Sequence, residues 1–208
     1  MGDCTERMKI VLIGKGDIGK YVIEELKTVG DLIVCSRSSK EYPVDITDKD
    51  SIEKLFKKIG QCDHILCMAG KSIPVPFKDA TDEQFKISID SKLMGQINVV
   101  RVGMSYLKKG GSITLTTGIM ARLLIPNITI PALVNVALEK FVVNVAFEMK
   151  DRFRINVVSP ELLMDSQVRY GGKDLDGMPV VTGDVVAKAY RKALESEVTG
   201  TVILAEGR

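Results

Sequence analysis

The feature that most constrains this chain is a glycine-rich turn between a short apolar run and an amphipathic stretch. The apolar run Met8–Ile13 ends in Gly-Lys-Gly-Asp-Ile-Gly, which is G-x-G-x-x-G between a predicted strand and a predicted helix. Such glycines allow a sharp turn, a close backbone approach to a pyrophosphate and tight packing of helix on strand. Asp17 is interpreted as the cap of the helix, because its charge would repel a phosphate. The motif predicts a phosphate site at Gly14, Lys15, Gly16, Asp17, Ile18 and Gly19.

The rest of the chain alternates between strands and helices. Strands are predicted at 8–13, 31–35, 63–68, 112–117, 154–158 and 201–205, and long helices at 83–107 and 126–150. This alternation indicates a doubly wound, parallel α/β sheet of the Rossmann type, with sites beyond the carboxyl ends of its strands. A chain of 208 residues suits one such domain over residues 1–208 and is short for two.

Charge and hydropathy argue against several classes of partner. The chain has 29 basic and 27 acidic residues, a net charge of +2, so we expect neither nucleic acid nor an anionic membrane as a partner. No apolar run approaches the length of a membrane span, and the first residues are too polar for a secretory signal. We therefore expect a cytosolic protein with free cysteines.

A metal site at Cys62, His64 and Cys67 is not expected. These residues lie in a predicted strand, whose alternate side chains point to opposite faces, so Cys62 and Cys67 should diverge. The sequence predicts no bound metal.

The residues after the second strand indicate which nicotinamide cofactor the chain prefers. NAD-specific dinucleotide folds place an acidic residue there for the ribose 2′-hydroxyl. This chain has Ser36, Arg37 and Ser38 instead, and a guanidinium flanked by hydroxyls suits a 2′-phosphate. NADP(H) is therefore favoured over NAD(H). The alternative is that Arg37 binds no cofactor and is simply a solvated cation in a loop.

The order of these motifs resembles the short-chain dehydrogenase/reductase family over nearly the whole chain. Beside the glycine-rich turn, the resemblance rests on Val44-Asp45-Ile46, Met68-Ala69-Gly70, Gly111-Ser112-Ile113, Ile155 to Pro160 and Thr199 to Leu204. It implies a seven-stranded sheet of order 3-2-1-4-5-6-7 and a homodimer or homotetramer built on the two long helices. It also implies further cofactor contacts at Asp45, Ile46, Ala69, Gly70, Thr116 and Pro160.

The chain departs from the family pattern at the catalytic positions. Gly118, Pro131 and Asn135 stand where the family has its Ser, Tyr and Lys, and Lys92 stands where it has an Asn. Neither proline nor glycine can protonate an alkoxide or hold it with a hydroxyl. Lys92 is therefore the candidate general acid or electrostatic clamp, with Thr117 beside it.

The remaining expectations concern the substrate side. A connection at about 161–180 is predicted to be a lid or substrate loop. The first functional hypothesis is an NADP(H)-dependent oxidoreductase with altered catalytic residues, acting on a small carbonyl, alcohol or activated alkene. The alternatives are a non-redox enzyme, such as a cyclase or isomerase, and a non-catalytic protein that binds a nucleotide or a partner.

Overall fold

A parallel β-sheet forms the centre of the part of the chain described by the computed structural model, residues 7–169 and 178–207. Residues 170–177 of the predicted lid lie outside that part. The strands are β1 (Met8–Ile13), β2 (Gly30–Cys35), β3 (Cys62–Cys67), β4 (Leu107–Thr116), β5 (Arg154–Pro160), β6 (Leu162–Leu163), β7 (Val180–Val181) and β8 (Val202–Ala205). β6 and β7 form a separate pair, and the other six strands lie in the order β2-β1-β3-β4-β5-β8, all parallel.

Helices cover both faces of the sheet. They are α1 (Asp17–Leu26), α2 (Lys49–Ile59), α3 (Asp82–Ser88), α4 (Gly95–Gly103), α5 (Thr129–Glu148), α6 (Met164–Arg169) and α7 (Gly183–Glu195). A π-helical turn, Ile89–Met94, joins α3 to α4, and short 3₁₀ turns occupy Phe77–Asp79, Met104–Tyr106 and Ile119–Ala121. The doubly wound α/β fold expected from the sequence is confirmed.

Alternation along the strands builds two cores. Ile10 and Leu12 face α1 and α7, whereas Val11 and Ile13 face α2, α4 and α5, and all four are at most 1% exposed. A strand covered on both faces has to be apolar throughout, which is why the run before the glycine-rich turn has no polar alternation. The carboxyl ends of β1 to β5 consequently meet at one edge of a rigid sheet.

The number of strands in the sheet differs from the expected seven. Residues 44–48 form no strand, and only an isolated bridge between Ser36 and Pro43 marks the place of the seventh one. Pro43 has no N–H to donate to a ladder. The Asp45 carboxylate then accepts hydrogen bonds from the backbone and hydroxyl of Thr47, which turns the chain into α2. The described sheet therefore has six strands.

The helix predicted over residues 83–107 is interrupted. The π-helical turn carries one extra residue per turn, which re-aims the side chains that follow it. Lys92 lies in this turn and is 8% exposed. π-Helical turns are frequent at functional sites, so this irregularity indicates that the helix contributes to a site.

α5 carries apolar residues on two faces. Its inward face packs on the sheet, whereas Leu133, Val136, Val143 and Phe147 are 41–80% exposed. Contrary to the expectation from sequence, α5 is long and apolar enough to cross a membrane by length and composition alone; no other helix of the described residues is. A helix of a protein core that carries a second apolar face passes the same test of length and composition.

Candidate functional site

The three glycines of the turn have three different environments. Gly14 has φ +114°, and a Cβ there would lie 2.8 Å from the backbone nitrogen of Ala69. A Cβ on Gly16 would have no neighbour within 4 Å, and one on Gly19 would lie 2.3 Å from the Gly14 carbonyl oxygen. Gly14 thus makes the turn, Gly19 packs the helix on it, and Gly16 leaves its backbone open to a ligand.

A cleft of about 870 Å³ opens over this turn. It runs from the end of β2 across the glycine-rich turn to the end of β3 and the helix beyond it. Ten of the residues predicted to bind the cofactor line it: Gly14, Lys15, Gly16, Ser36, Arg37, Ser38, Asp45, Ile46, Ala69 and Gly70. The structure thus brings together, in one cleft, residues that are scattered along the sequence.

Other residues that line the cleft were not predicted as site residues. They are Ile13, Val44, Thr47, Met68, Lys71, Ile87, Asp90 and Ser91. Thr47, Met68 and Lys71 adjoin predicted site residues, so chain proximity could have found them. Ile87, Asp90 and Ser91 lie in or beside the π-helical turn, where ordinary helical spacing fails.

The end of the cleft beside β2 is polar and carries a positive charge. Arg37 is exposed there, and the hydroxyl oxygens of Ser36 and Ser38 are 3.3 Å apart. Asp45 lies on the facing side, where hydrogen bonds from Thr47 and the nearby Arg37 charge hold the pKa of its carboxyl below the usual value. A guanidinium with two adjacent hydroxyls is the donor set that a phosphate requires.

Asp17 is not the cap of α1. The cap position is Gly16, which offers no side chain, and Asp17 is the first residue of the helix. The Asp17 carboxylate accepts a hydrogen bond of 3.1 Å from the Ser166 hydroxyl. Asp165 meanwhile pairs with Lys20 and accepts a 2.8 Å hydrogen bond from the Tyr21 hydroxyl. Asp165 and Ser166, in the described start of the predicted lid, therefore contact α1 next to the glycine-rich turn.

Lys92 lies deep beside the cleft. A Cβ on Gly70 would be 3.0 Å from Lys92 Cδ, so the lysine stem packs on a residue that lines the cleft. Burial lowers the pKa of the Lys92 amine from 10.5 to about 8, partly offset by the nearby Cys67 thiol. An amine with such a pKa exchanges protons readily near neutral pH.

The hydroxyls of the two threonines at the end of β4 already form hydrogen bonds within the protein. The Thr116 hydroxyl donates a 2.6 Å hydrogen bond to the Cys67 carbonyl and contacts the buried Tyr190 hydroxyl. The Thr117 hydroxyl donates to the Glu139 carboxylate at 2.9 Å. Thr116 thus lies in the core rather than in the cleft, and Thr117 belongs to a separate polar cluster.

That polar cluster was not anticipated from the sequence. The Arg122 guanidinium contacts both oxygens of the Glu139 carboxylate at 3.0 Å and also donates to the Ser159 hydroxyl. It ties the segment after β4 to α5 and β5. A buried-face glutamate in an otherwise apolar helix is the signal that could have indicated it.

The three positions that carry the family's catalytic residues lie close together. Pro131 and Asn135 occupy successive turns of α5, and both are buried. A Cβ on Gly118 would lie 3.9 Å from Asn135 Nδ2 and 3.8 Å from the Pro160 carbonyl oxygen. Pro160 and Gly118 are therefore neighbours. Two residues predicted to bind the cofactor, Ile18 and Gly19, lie in the glycine-rich turn but do not line the cleft.

The residues of the rejected metal site, Cys62, His64 and Cys67, are buried in β3. The His64 ring lies 2.8 Å from the Ser112 hydroxyl, and burial lowers its pKa to about 4. Cys62 and Cys67 pack in the same core rather than diverging. Within residues 7–169 and 178–207 no cluster of three or more potential ligands occurs, and Cys35, Cys62 and Cys67 are free thiols.

Comparisons with known proteins agree with this geometry. A family model described as enoyl-(acyl carrier protein) reductase matches residues 16–201. The crystal structure of lin1944 from Listeria innocua is 37% identical with a TM-score of 0.91, over 95% of this chain and 98% of that one. A small-chain dehydrogenase in complex with NADPH is 28% identical with a TM-score of 0.85, over 97% and 98%.

Curated relatives are more distant and longer. Carbonyl reductase [NADPH] 2 from Sus scrofa is 24% identical over 73% of this chain. This chain spans 65% of that relative's length and 53% of another's. The family model, by contrast, covers most of the chain, from Gly16 within the glycine-rich turn to Thr201. The chain belongs to the short-chain dehydrogenase/reductase family.

Proposed function

We propose that the protein is an NADP(H)-dependent oxidoreductase acting on a small carbonyl, alcohol or activated alkene. The observation that carries the proposal is the cleft over Gly16, which has Arg37 at one end and the buried Lys92 beside the other. The NADPH complex of a similar structure supports the cofactor assignment. The family model's description and the pig relative's name concern alkene and carbonyl reduction respectively.

The residues of the cleft fit the parts of a phosphorylated dinucleotide. The open backbone at Gly16, together with the N-terminal end of α1, would face the pyrophosphate. Arg37, Ser36 and Ser38 would hold the 2′-phosphate, and Asp45 and Ile46 would border the adenine. Lys15, Arg37 and Lys71 outnumber Asp45 and Asp90 along the walls, which favours an anionic ligand.

Lys92 is proposed to handle the proton of the reaction. Bound NADP(H) supplies or accepts a hydride. The oxygen of a reduced carbonyl then needs a proton or a positive charge, which Lys92 provides from a buried position where water screens it little. Gly118 and Pro131 offer no hydroxyl for this task, so the lysine takes a role that other members of the family assign to a phenol.

The first test is calorimetric titration with NADPH and NADH, comparing the wild type with Arg37→Ala. We expect tight NADPH binding that weakens about tenfold or more in the variant, while NADH binding changes little, because only NADPH has the 2′-phosphate. Lys40→Ala is the matched control, since Lys40 is an exposed cation three residues away that does not line the cleft. Equal losses for both nucleotides would refute the 2′-phosphate assignment.

A second candidate function rests on the same departures from the family pattern. Without hydroxyls at 118 and 131, the cleft could serve a non-redox reaction, such as a cyclisation or isomerisation, or nucleotide binding without turnover. Product formed without a change in nicotinamide absorbance would identify the former. Nucleotide binding without turnover on any carbonyl, alcohol or alkene would identify the latter.

We also propose a homo-oligomer, dimeric or tetrameric, in the cytosol, and α5 supports the association. The apolar residues of its outer face follow helical spacing, and Phe147 is 80% exposed. Phe147→Glu is expected to reduce the mass measured by light scattering to that of a monomer. Phe77→Glu, an exposed phenylalanine outside α5, is the control that should leave the mass unchanged. A monomeric wild type would contradict the proposal.

A further inference from the structure

The segments that follow β4 and β5 carry an apolar cluster that belongs to neither core of the sheet. Leu162 and Met178 are 9% and 7% exposed, and other apolar side chains pack on them while keeping part of their surface open to solvent. These partly exposed members are Ile119, Met120, Leu123, Ile125 and Val180. We call the whole cluster the apolar wall. Contiguous apolar surface that stays open to solvent is typical of a binding site.

The apolar wall lies next to the cofactor cleft. The cleft covers the carboxyl ends of β2, β1 and β3, and the next strands of the sheet are β4 and β5. Ile119 follows Gly118 just beyond the end of β4, and Leu162 comes two residues after Pro160, the last residue of β5. Because the carboxyl ends of parallel strands meet at one edge, the wall continues the cleft along that edge. A molecule on the wall therefore lies at the end of the cleft that is remote from Arg37.

A small polar opening adjoins the wall at Gly118. A Cβ at this position would lie 3.9 Å from Asn135 Nδ2 and 3.8 Å from the Pro160 carbonyl oxygen, so the missing side chain leaves space between one donor and one acceptor. The Asn135 amide can donate to a carbonyl oxygen in that space, and the Pro160 carbonyl can accept from a hydroxyl. The opening therefore suits the oxygen of an uncharged carbonyl compound or of the corresponding alcohol.

The charged groups around the wall are engaged within the protein. Three charged residues occur in the segments that surround it, residues 117–128, 159–166 and 178–182. Arg122 pairs with a glutamate of α5, Glu161 accepts a 2.8 Å hydrogen bond from a backbone N–H, and Asp165 pairs with a lysine of α1. A carboxylate or phosphate would thus find no free cation in these segments, whereas a hydrocarbon chain would exchange water for apolar contacts.

We infer that the substrate is an aliphatic aldehyde or ketone, or the corresponding alcohol, without a charged group. Its oxygen accepts a hydrogen bond from Asn135 in the opening at Gly118, and its hydrocarbon chain lies along the apolar wall. The methionines of the wall, Met120 and Met178, adapt to chains of different shape. The inference rests on the proposed function, of which it names the substrate class.

The experiment is calorimetric titration of the NADPH-saturated protein with unreactive primary amides of increasing length, from butanamide to octanamide. A primary amide offers an acceptor to Asn135 and donors to the Pro160 carbonyl. We expect the affinity to rise about threefold with each methylene, since each one is removed from water on the wall. Octanoate, which has a chain of the same length and a charged end, is expected to bind at least tenfold more weakly than octanamide. Affinity that is independent of chain length, or equal binding of octanoate, would overturn the inference.

A matched pair of variants locates the hydrocarbon chain. Leu123→Ser should reduce the gain in affinity per methylene and leave NADPH affinity unchanged, because it removes part of the wall. Leu124→Ser is the control, since Leu124 is the next residue, is fully exposed and lies outside the wall. Met120→Ser repeats the test at a second position of the wall, independently of how well Leu123→Ser folds. Equal effects of the wall variants and of Leu124→Ser would count against the inference.

A third change tests the polar end. Gly118 has an extended backbone, with φ 176° and ψ 166°, which other residues adopt, so Gly118→Val fills the opening without straining the chain. At saturating NADPH we expect every amide to bind about tenfold more weakly or worse, with the gain per methylene unchanged. Amide affinities that Gly118→Val leaves as they were would place the oxygen elsewhere and overturn the inference.

These measurements separate the inference from the function on which it rests. A protein that binds NADPH with the expected dependence on Arg37, yet shows no rise of amide affinity with chain length, keeps the proposed function and overturns the inference. A protein that does not bind NADPH overturns the proposed function and the substrate class together.

Discussion

Lys92→Met is expected to give a protein that is more stable than the wild type and turns over about 100-fold more slowly or worse. Burial lowers the pKa of the lysine amine from 10.5 to about 8, so keeping it charged in the folded state at neutral pH costs roughly 3 kcal/mol. Methionine retains the stem that packs on Gly70 and removes the charge. The same change removes the proposed proton donor.

The gain in stability should depend on pH in a defined direction. Between about pH 8 and pH 10.5 the unfolded chain keeps a proton on Lys92 that the folded chain has lost, so wild-type stability rises with pH through that window. The variant has no such group, and its advantage should shrink there. Cys67, whose thiol influences the pKa of the amine, has its own pKa raised by burial to about 12 and stays protonated throughout.

Denaturant unfolding across that pH range, together with NADPH oxidation assays on a carbonyl and alkene panel, measures both effects. Lys57→Met, an exposed lysine on α2, is the control and should change neither quantity. A Lys92→Met protein with unchanged turnover would show that the lysine is a structural residue. One that is less stable at neutral pH would show that its ammonium is stabilised in the fold.

Gly16→Val is expected to abolish detectable cofactor binding without reducing stability. A Cβ on Gly16 has no protein atom within 4 Å, and the residue has φ −77° and ψ −157°, which valine adopts readily. The branched side chain would therefore stand in the cleft, where the pyrophosphate is proposed to lie. We expect a loss of NADPH affinity of about 100-fold or more by calorimetry, since both contact and space are lost.

Gly14→Ala is the contrasting variant. At φ +114°, with Ala69 nitrogen 2.8 Å from the added carbon, it should lose about 2 kcal/mol or more of stability. The two variants of one motif would then differ in effect: Gly14→Ala lowers the melting temperature, and Gly16→Val lowers the affinity for NADPH. Tight NADPH binding by Gly16→Val would place the phosphates elsewhere and remove the main support for the proposed function.

The parts of the structure that sequence could anticipate are those that depend on local pattern. The run before Gly14 had to be a strand covered on both faces, because it contains no polar alternation, and the abrupt glycines after it had to begin a helix. The clustering of Arg37, Asp45 and Gly70 around one cleft followed from the rule that strand ends of a parallel sheet meet at one edge.

What escaped prediction depends on backbone irregularity and on contacts between distant residues. The spacing of apolar residues along a helix does not reveal a π-helical turn, yet this turn determines where Lys92 lies. The missing seventh strand depends on Pro43 and on a turn made by the Asp45 side chain. The sequence predicts Asp17 as a helix cap, and this is wrong because its partner, Ser166, is far along the chain. The pairing of Glu139 with Arg122 likewise needs the folded geometry.

The packing of α1 on α7 has a consequence for how the chain folds during synthesis. Val22 and Leu26 of α1 are buried in a cluster completed by Val186 and Tyr190 of α7, which are far from α1 in the sequence. A nascent chain that has made only its first half therefore displays the apolar side of its first helix with nothing to cover it. The first helix finds its cover only after α7 has been synthesised, so the core on this face of the sheet closes long after the first strand and helix have been made.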